Sequence, residues 1–158
     1  MINIDPKELA RIEENLRKMR ISGSRKPEHH QETAEHKKMK SIVVSEFLKR
    51  GVKPENILIE KRTRYNNRYF KPDVTVNKDG RYIFIECHYH DNWTYTNVYG
   101  HMDEVRKLAE VIVCVTSDFD SRKPVEELIK NHKVLSKANE IWVIDLTDNC
   151  IKRTVKNV

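Results

Sequence analysis

Two carboxylates, Asp73 and Glu86, stand thirteen residues apart in "YFKPDVTVNKDGRYIFIECHYH", residues 69–90. Each interrupts an apolar, strand-like run. Side chains alternate across a strand. In "RYIFIECHYH", Ile83, Ile85 and Cys87 therefore share one face, and Phe84, Glu86, His88 and His90 share the other. In "RYFKPDVTV", Val74 and Val76 turn to one side while Asp73 and Thr75 turn to the other. The intervening "NKDG" contains Asp-Gly, a hairpin signal. Asp73 and Glu86 lie about equally far from that turn, so pairing the two runs sets both acids side by side on one face.

Adjacent carboxylates repel, and an unpaired buried charge is costly. A divalent cation resolves both problems. Oxygen ligands suit Mg2+, which keeps several of its waters, and the nearby imidazole makes Mn2+ an alternative. Such an ion polarises a phosphodiester and lowers the pKa of an attacking water. A purely structural alternative stays open, with Asp73 capping a turn and Glu86 paired with an arginine such as Arg64. The histidines offer a second metal reading, since His29, His30, His88 and His90 are ligand types for zinc. No H-E-x-x-H motif supports it.

The elements that must position these acids follow from hydrophobic period and stop signals. "DPKELARIEENLRKMRI" opens with a capping Asp5 and Pro6 and carries one apolar stripe, and the basic linker "SGSRK" ends it. A long helix is expected from Glu28 to Arg50, with Pro27 at its start and Gly51 just past its end. Met39, Ile42, Val43 and Phe47 mark its buried face, and Glu32, Glu35 and Glu46 fall on or near that stripe. Strands are expected at "ENILIEKRT", "RYFKPDVTV", "RYIFIECHYH", "VIVCVTS" and "EIWVIDLT", with helices at "VYGHMDEVRKLAE" and "KPVEELIKNH". The tail "NCIKRTVKNV" reads as an extra edge strand or a loose end. Hairpins first and alternating units later imply an α/β fold with a mixed central sheet and helices on both faces.

Pro72-Asp73, followed by Glu86-Cys87-His88, resembles the PD-(D/E)XK nuclease superfamily, which includes restriction endonucleases and archaeal Holliday-junction resolvases. The likeness covers about residues 30–116 and includes an αβββαβ core order. It implies a restriction endonuclease-like fold and hydrolysis of DNA phosphodiester bonds. It also implies that Asp73 and Glu86 ligate the metal, helped by the Cys87 carbonyl. Among Glu32, Glu35 and Glu46, Glu35 in "EHKKMKSIVVSEFLKRG" best matches the acid that the family's upstream helix supplies. The departure is at the third motif position, where His88 stands in place of lysine. His88 would serve as base or donor beside the attacking water, and Lys71 is an alternative source of charge.

The segment "EKRTRYNNRYFKP" carries Lys61, Arg62, Arg64, Arg68 and Lys71 with no acid after Glu60. Tyr65, Tyr69 and Phe70 are interleaved. Arginines at a hairpin tip grip phosphates and aromatics stack on bases, so Arg62, Arg64, Arg68 and Lys71 are candidate nucleic-acid contacts. "HDNWTYTNVYG", with Trp93, Tyr95 and Tyr99, is either a loop beside the site or a packing loop, and Trp142 is expected in the core.

The whole chain fits this reading. Its 30 Lys+Arg against 24 Asp+Glu give a formal charge of +6, which suits a polyanion such as DNA, with RNA not excluded. The 158 residues suit one domain, with residues 1–26 as N-terminal helix and linker and about 30–146 as core. No apolar run approaches the ~20 residues of a membrane span, and no signal-peptide pattern opens the chain, so a cytoplasmic protein is expected. Cys87, Cys114 and Cys150 form no C-x-x-C pair, which argues against a disulfide framework or zinc ribbon. One glutamine and four glycines among many Lys and Glu suggest a thermophilic source. A homodimer would suit cleavage of both strands of a duplex. Two other function classes stay open: a non-catalytic nucleic-acid-binding protein on the same fold, and a nucleotide- or RNA-processing hydrolase.

Overall fold

The computed structural model describes residues 7, 32–65, 67–88, 98, 101–132 and 135–157. Apart from Lys7, the expected N-terminal helix and linker lie outside the described residues, as do His29, His30, His90, Trp93, Tyr95 and Tyr99.

Helix α1 spans Ala34–Lys49, with Thr33 as its cap; the Thr33 hydroxyl accepts the His36 N–H at 3.1 Å. This helix therefore begins at Ala34 rather than Glu28, and Glu32 precedes the cap. Its far end closes as the Gly51 signal predicts. Gly51 takes a left-handed φ of 91°, its N–H donates to Leu48 O, and the Val52 N–H donates to Phe47 O.

Among the described residues, eight strands follow, in two sheets. In chain order the elements are β1 (Ile57–Ile59), β2 (Thr63–Tyr65), β3 (Arg68–Phe70), β4 (Val74–Lys78), β5 (Arg81–His88), α2 (Met102–Leu108), β6 (Ala109–Thr116), α3 (Ser117–Arg122), α4 (Val125–Asn131), β7 (Glu140–Asp145) and β8 (Cys150–Lys156). The large sheet has order β1-β4-β5-β6-β7-β8. β5, β6 and β7 run parallel, and the flanking pairs are antiparallel. This is an α/β fold with a mixed sheet, and α1-β1-β4-β5-α2-β6 keeps the expected αβββαβ order. The tail forms the edge strand β8. α3 has no counterpart among the expected helices, because six residues with one buried apolar side chain, Phe119, show no period. Ala109 and Glu110, expected in a helix, instead open β6.

Both faces of the sheet are covered, and side-chain alternation divides the core in two. Val74, Val76, Ile85, Cys87, Cys114 and Trp142 pack beneath α1. Phe84, Val111, Val113, Val115 and Ile141 pack with Met102, Val105, Phe119 and Val125 on the other side. The Asp-Gly turn forms as expected. Asp79 and Gly80 have φ of 53° and 79°, and Lys78 pairs with Arg81.

One expectation is corrected. "ENILIEKRT" and "RYFKPDVTV" are not two unbroken strands. β1 pairs with β4 and β2 with β3, and the register of Ile59 with Val74 continues in step to Thr63 with Phe70. The four strands are thus one long ribbon with a bend. Pro72 lacks an N–H and removes a rung, and Glu60 takes a left-handed φ of 51°. The bend rolls the outer half of the ribbon over. Phe70 has the same parity as Val74, yet it is fully buried in the opposite core cluster, against Phe84 and Met102. That one ring anchors the outer ribbon with about 2–3 kcal/mol of burial.

Candidate active site

β4 and β5 are antiparallel, so the start of β4 meets the end of β5. Asp73 precedes β4, and Glu86 and Cys87 sit near the end of β5. The ladder brings the two acids face to face. The Cys87 N–H donates to Asp73 Oδ2 at 2.8 Å, and the Asp73 N–H donates to Glu86 Oε1 at 3.3 Å. Glu86 is only 3% exposed. Arg64, the arginine named in the structural alternative, lies elsewhere. Arg64 donates to Asn67 Oδ1 at 3.1 Å and lies over Tyr69, in the outer ribbon.

α1 lays its first turn beside Asp73. His36 bridges two carboxylates, with Nδ1 2.8 Å from Glu32 Oε1 and Nε2 3.3 Å from Asp73 Oδ2. Burial works against its charged form, but the bonds to Asp73 and Glu32 outweigh it and raise the ring to about 9. His36 is therefore an imidazolium at neutral pH. One turn on, Lys40 is 4% exposed. Its ammonium contacts Glu32 and lies 3.3 Å from Glu60 Oε1. Burial pushes Glu32 upward, but bonds from His36 and Lys40 override it and lower the acid to about 2.

His88, at the position where the family pattern has lysine, behaves differently. Burial lowers it to about 4, against the opposing pull of Asp73. It is neutral at pH 7 and supplies no fixed charge. The cations of this cluster come from α1. The Cys87 thiol is pushed well up by the neighbouring Cys114, by burial and by the two acids, so it is no nucleophile.

Of the three upstream glutamates, Glu32 enters the cluster. Glu35 is half-buried and makes no hydrogen bond or ion pair among the described residues. Glu46 bonds Arg50 at 3.1 Å at the other end of α1. His36, Lys40 and Glu60 were not singled out by sequence reasoning. A signal existed in His36 and Lys40, which are spaced by four and so lie in one row along α1.

Among the described residues, no group of three or more His, Cys, Asp and Glu side chains is arranged to hold a metal. The donor set still fits Mg2+ or Mn2+, because magnesium takes one or two carboxylates and fills its other positions with water. Asp73 and Glu86 would be those carboxylates. The Cys87 N–H points at Asp73, and an extended residue turns its carbonyl to the same side of the strand. That carbonyl would be a third oxygen ligand.

The basic segment forms the outer ribbon, and its two faces differ. Arg64 pairs across the ribbon with Tyr69. Arg62 stacks over the Tyr69 ring at 4.0 Å and Arg64 lies at 5.8 Å. Arg62, Arg64, Tyr69 and Lys71 are all exposed. Arg68 turns toward α2 instead, with its Nε 3.4 Å from Glu104 Oε2 and its Nη1 2.9 Å from His101 Nε2. Among the described residues, no helix is long and apolar enough to cross a membrane.

No family model matches the chain, and no curated protein matches it. Among solved structures it is similar to the crystal structure of an fdxN element excision controlling factor protein from Anabaena variabilis. The likeness has 14% sequence identity and a TM-score of 0.49, and covers 76% of this chain and 99% of that one.

Proposed function

We propose that this protein is a metal-dependent endonuclease that hydrolyses DNA phosphodiester bonds, with Asp73 and Glu86 as metal ligands. The observation that carries the reading is the convergence of these two acids, each accepting a backbone N–H from the other strand's end. Bound there, Mg2+ or Mn2+ would polarise the phosphate and acidify the attacking water.

The chain's own residues divide the remaining work. Asp73 and Glu86 fix the site at the junction of β4 and β5. His88, uncharged at neutral pH, lies two residues beyond Glu86 on the same strand face and would be the proton acceptor. Lys40 and His36 supply the positive charge that the third motif position lacks. Glu32 takes the part expected of Glu35, since one imidazole couples it to Asp73. Arg62, Arg64 and Lys71 hold DNA on the outer ribbon, while Arg68 braces that ribbon on α2.

A second reading has its own observation. The His36 imidazolium already lies against Asp73, which favours a protein that binds nucleic acid without cutting it. One experiment separates the two. Duplex, branched and single-stranded DNA, with RNA as a control, are incubated with Mg2+ or Mn2+ and the wild-type or Asp73→Asn protein. Metal-dependent cleavage lost in the variant supports the nuclease. Binding without cutting of any substrate, unchanged in the variant, selects the second reading.

A further inference from the structure

The outer ribbon has one anchored face and one open face. Phe70 and Arg68 tie the first to the body through Phe84, Met102, His101 and Glu104. The second carries Tyr69, which is 42% exposed for a large aromatic ring. Arg62 lies over the ring at 4.0 Å from its centre and Arg64 at 5.8 Å. Asn67 fixes Arg64 further. Among the described residues, neither Arg62 nor Arg64 has a carboxylate partner, and no acid occurs from Lys61 to Pro72. Two guanidinium groups are thus held in place by a ring while their charge stays uncompensated.

We propose that this Arg62–Tyr69–Arg64 face docks a single-stranded segment of nucleic acid, with one unpaired base stacked on the Arg62–Tyr69 layer and Arg64 and Lys71 on the flanking phosphates. Charge complementarity selects a polyanion. The exposed aromatic ring selects the strand type. A base in a duplex is stacked on its neighbours and offers only its edges, whereas an unpaired base offers a face. Position agrees with this. Tyr69 is four residues from Asp73, so roughly 13 Å of extended chain at most separates them. The inference rests on the nucleic-acid half of the function proposed above and needs no metal chemistry.

The test is made in EDTA, so that binding is read apart from cleavage. Oligodeoxynucleotides carrying 2-aminopurine are presented as single strand, blunt duplex and duplex with a single-stranded tail, with an oligoribonucleotide arm to identify the sugar. The expected result is quenching and tighter binding for the unpaired strands. Tyr69→Leu weakens single-strand binding about tenfold and leaves the blunt duplex unchanged. Arg62→Lys keeps the charge and the salt dependence but loses the quench. Arg64→Ala reduces the slope of log K against log salt by about 0.7. Equal losses for blunt duplex and single strand, or an undiminished quench in Arg62→Lys, would overturn the inference. Metal-dependent cleavage of duplex DNA together with single-strand binding indifferent to Tyr69→Leu would sink it while leaving the nuclease standing. Failure to bind any nucleic acid would remove both.

Discussion

Glu60 and Asp73 form the last main-chain rung before the ribbon bends, with the Glu60 N–H donating to the Asp73 carbonyl at 3.1 Å. The same two residues carry acids that face different cations. The Glu60 carboxylate receives Lys40, and the Asp73 carboxylate receives His36. One backbone hydrogen bond therefore joins the buried ion cluster of α1 to the acid pair of the sheet.

That cluster makes Lys40 the most sensitive charged residue of α1. Replacing it with methionine leaves Glu32 and Glu60 without their shared cation in a poorly solvated place. Lys40→Met is expected to cost about 3 kcal/mol, read as a lowered urea midpoint at unchanged m value. Lys40→Met combined with Glu32→Gln should recover part of the loss. A Lys40→Met protein as stable as wild type would show that the cluster holds nothing together.

Acid should weaken the fold through specific carboxylates. Glu32 and Glu126 are both lowered to about 2, Glu32 by bonds from His36 and Lys40 that override its burial, Glu126 by its bond from Arg153. A depressed carboxylate stabilises above its unfolded pKa, near 4.5, and that contribution is lost as pH falls toward 2. The melting temperature should fall across this window. Arg153→Gln releases Glu126 and should make the fall shallower, whereas superimposable curves would remove Glu126 from the account.

Gly80 sits at a φ of 79° beside Asp79 at 53°, a turn that favours glycine. A Cβ there would meet no atom within 4 Å, so the penalty is conformational alone. Gly80→Ala should cost about 1 kcal/mol with cross-strand contacts between Val74 and Ile85 retained in NMR spectra. Loss of those contacts would mean that the turn, and not the two cores, sets the register.

Arg68 and Arg62 should separate cleanly. Arg68→Ala cuts the ribbon's ties to Glu104 and His101, so amide exchange at Thr63–Tyr65 should quicken while the salt dependence of DNA binding holds. Arg62→Ala should do the reverse. Equal effects of both on the salt slope would return Arg68 to the phosphate contacts.

Metal binding has a readout besides activity. At one hundred times its dissociation constant, Mn2+ should stabilise the folded protein by about 2.7 kcal/mol. Asp73→Asn should abolish the gain. An Mn2+ response identical in wild type and variant would place the ion elsewhere.

Much of this was legible in the sequence, for identifiable reasons. Strand alternation put Asp73 and Glu86 on one face and the Asp-Gly turn set their register, which a slip of one residue would break by burying the wrong side of every strand. Gly51 and Asp-Gly at 79–80 gave their turns because each needs a left-handed backbone. The ribbon's bend was written in Pro72 but was read only as a motif residue. Glu35 opens the stretch that resembles the family's upstream helix, and that resemblance favours it over Glu32. With Thr33 as the cap, Glu32 leaves the helical period and folds back toward His36 and Lys40. The neutrality of His88 was not readable, since burial causes it and burial comes from elements distant in sequence.

The bend also couples two parts of the molecule mechanically. Lys71 and Pro72 are all that separates β3 from Asp73, and proline's ring leaves that link little rotational freedom. The outer ribbon is thus joined to the backbone of the residue that carries the carboxylate by a short, stiff link. A load that tilts the ribbon arrives at Asp73 as torque.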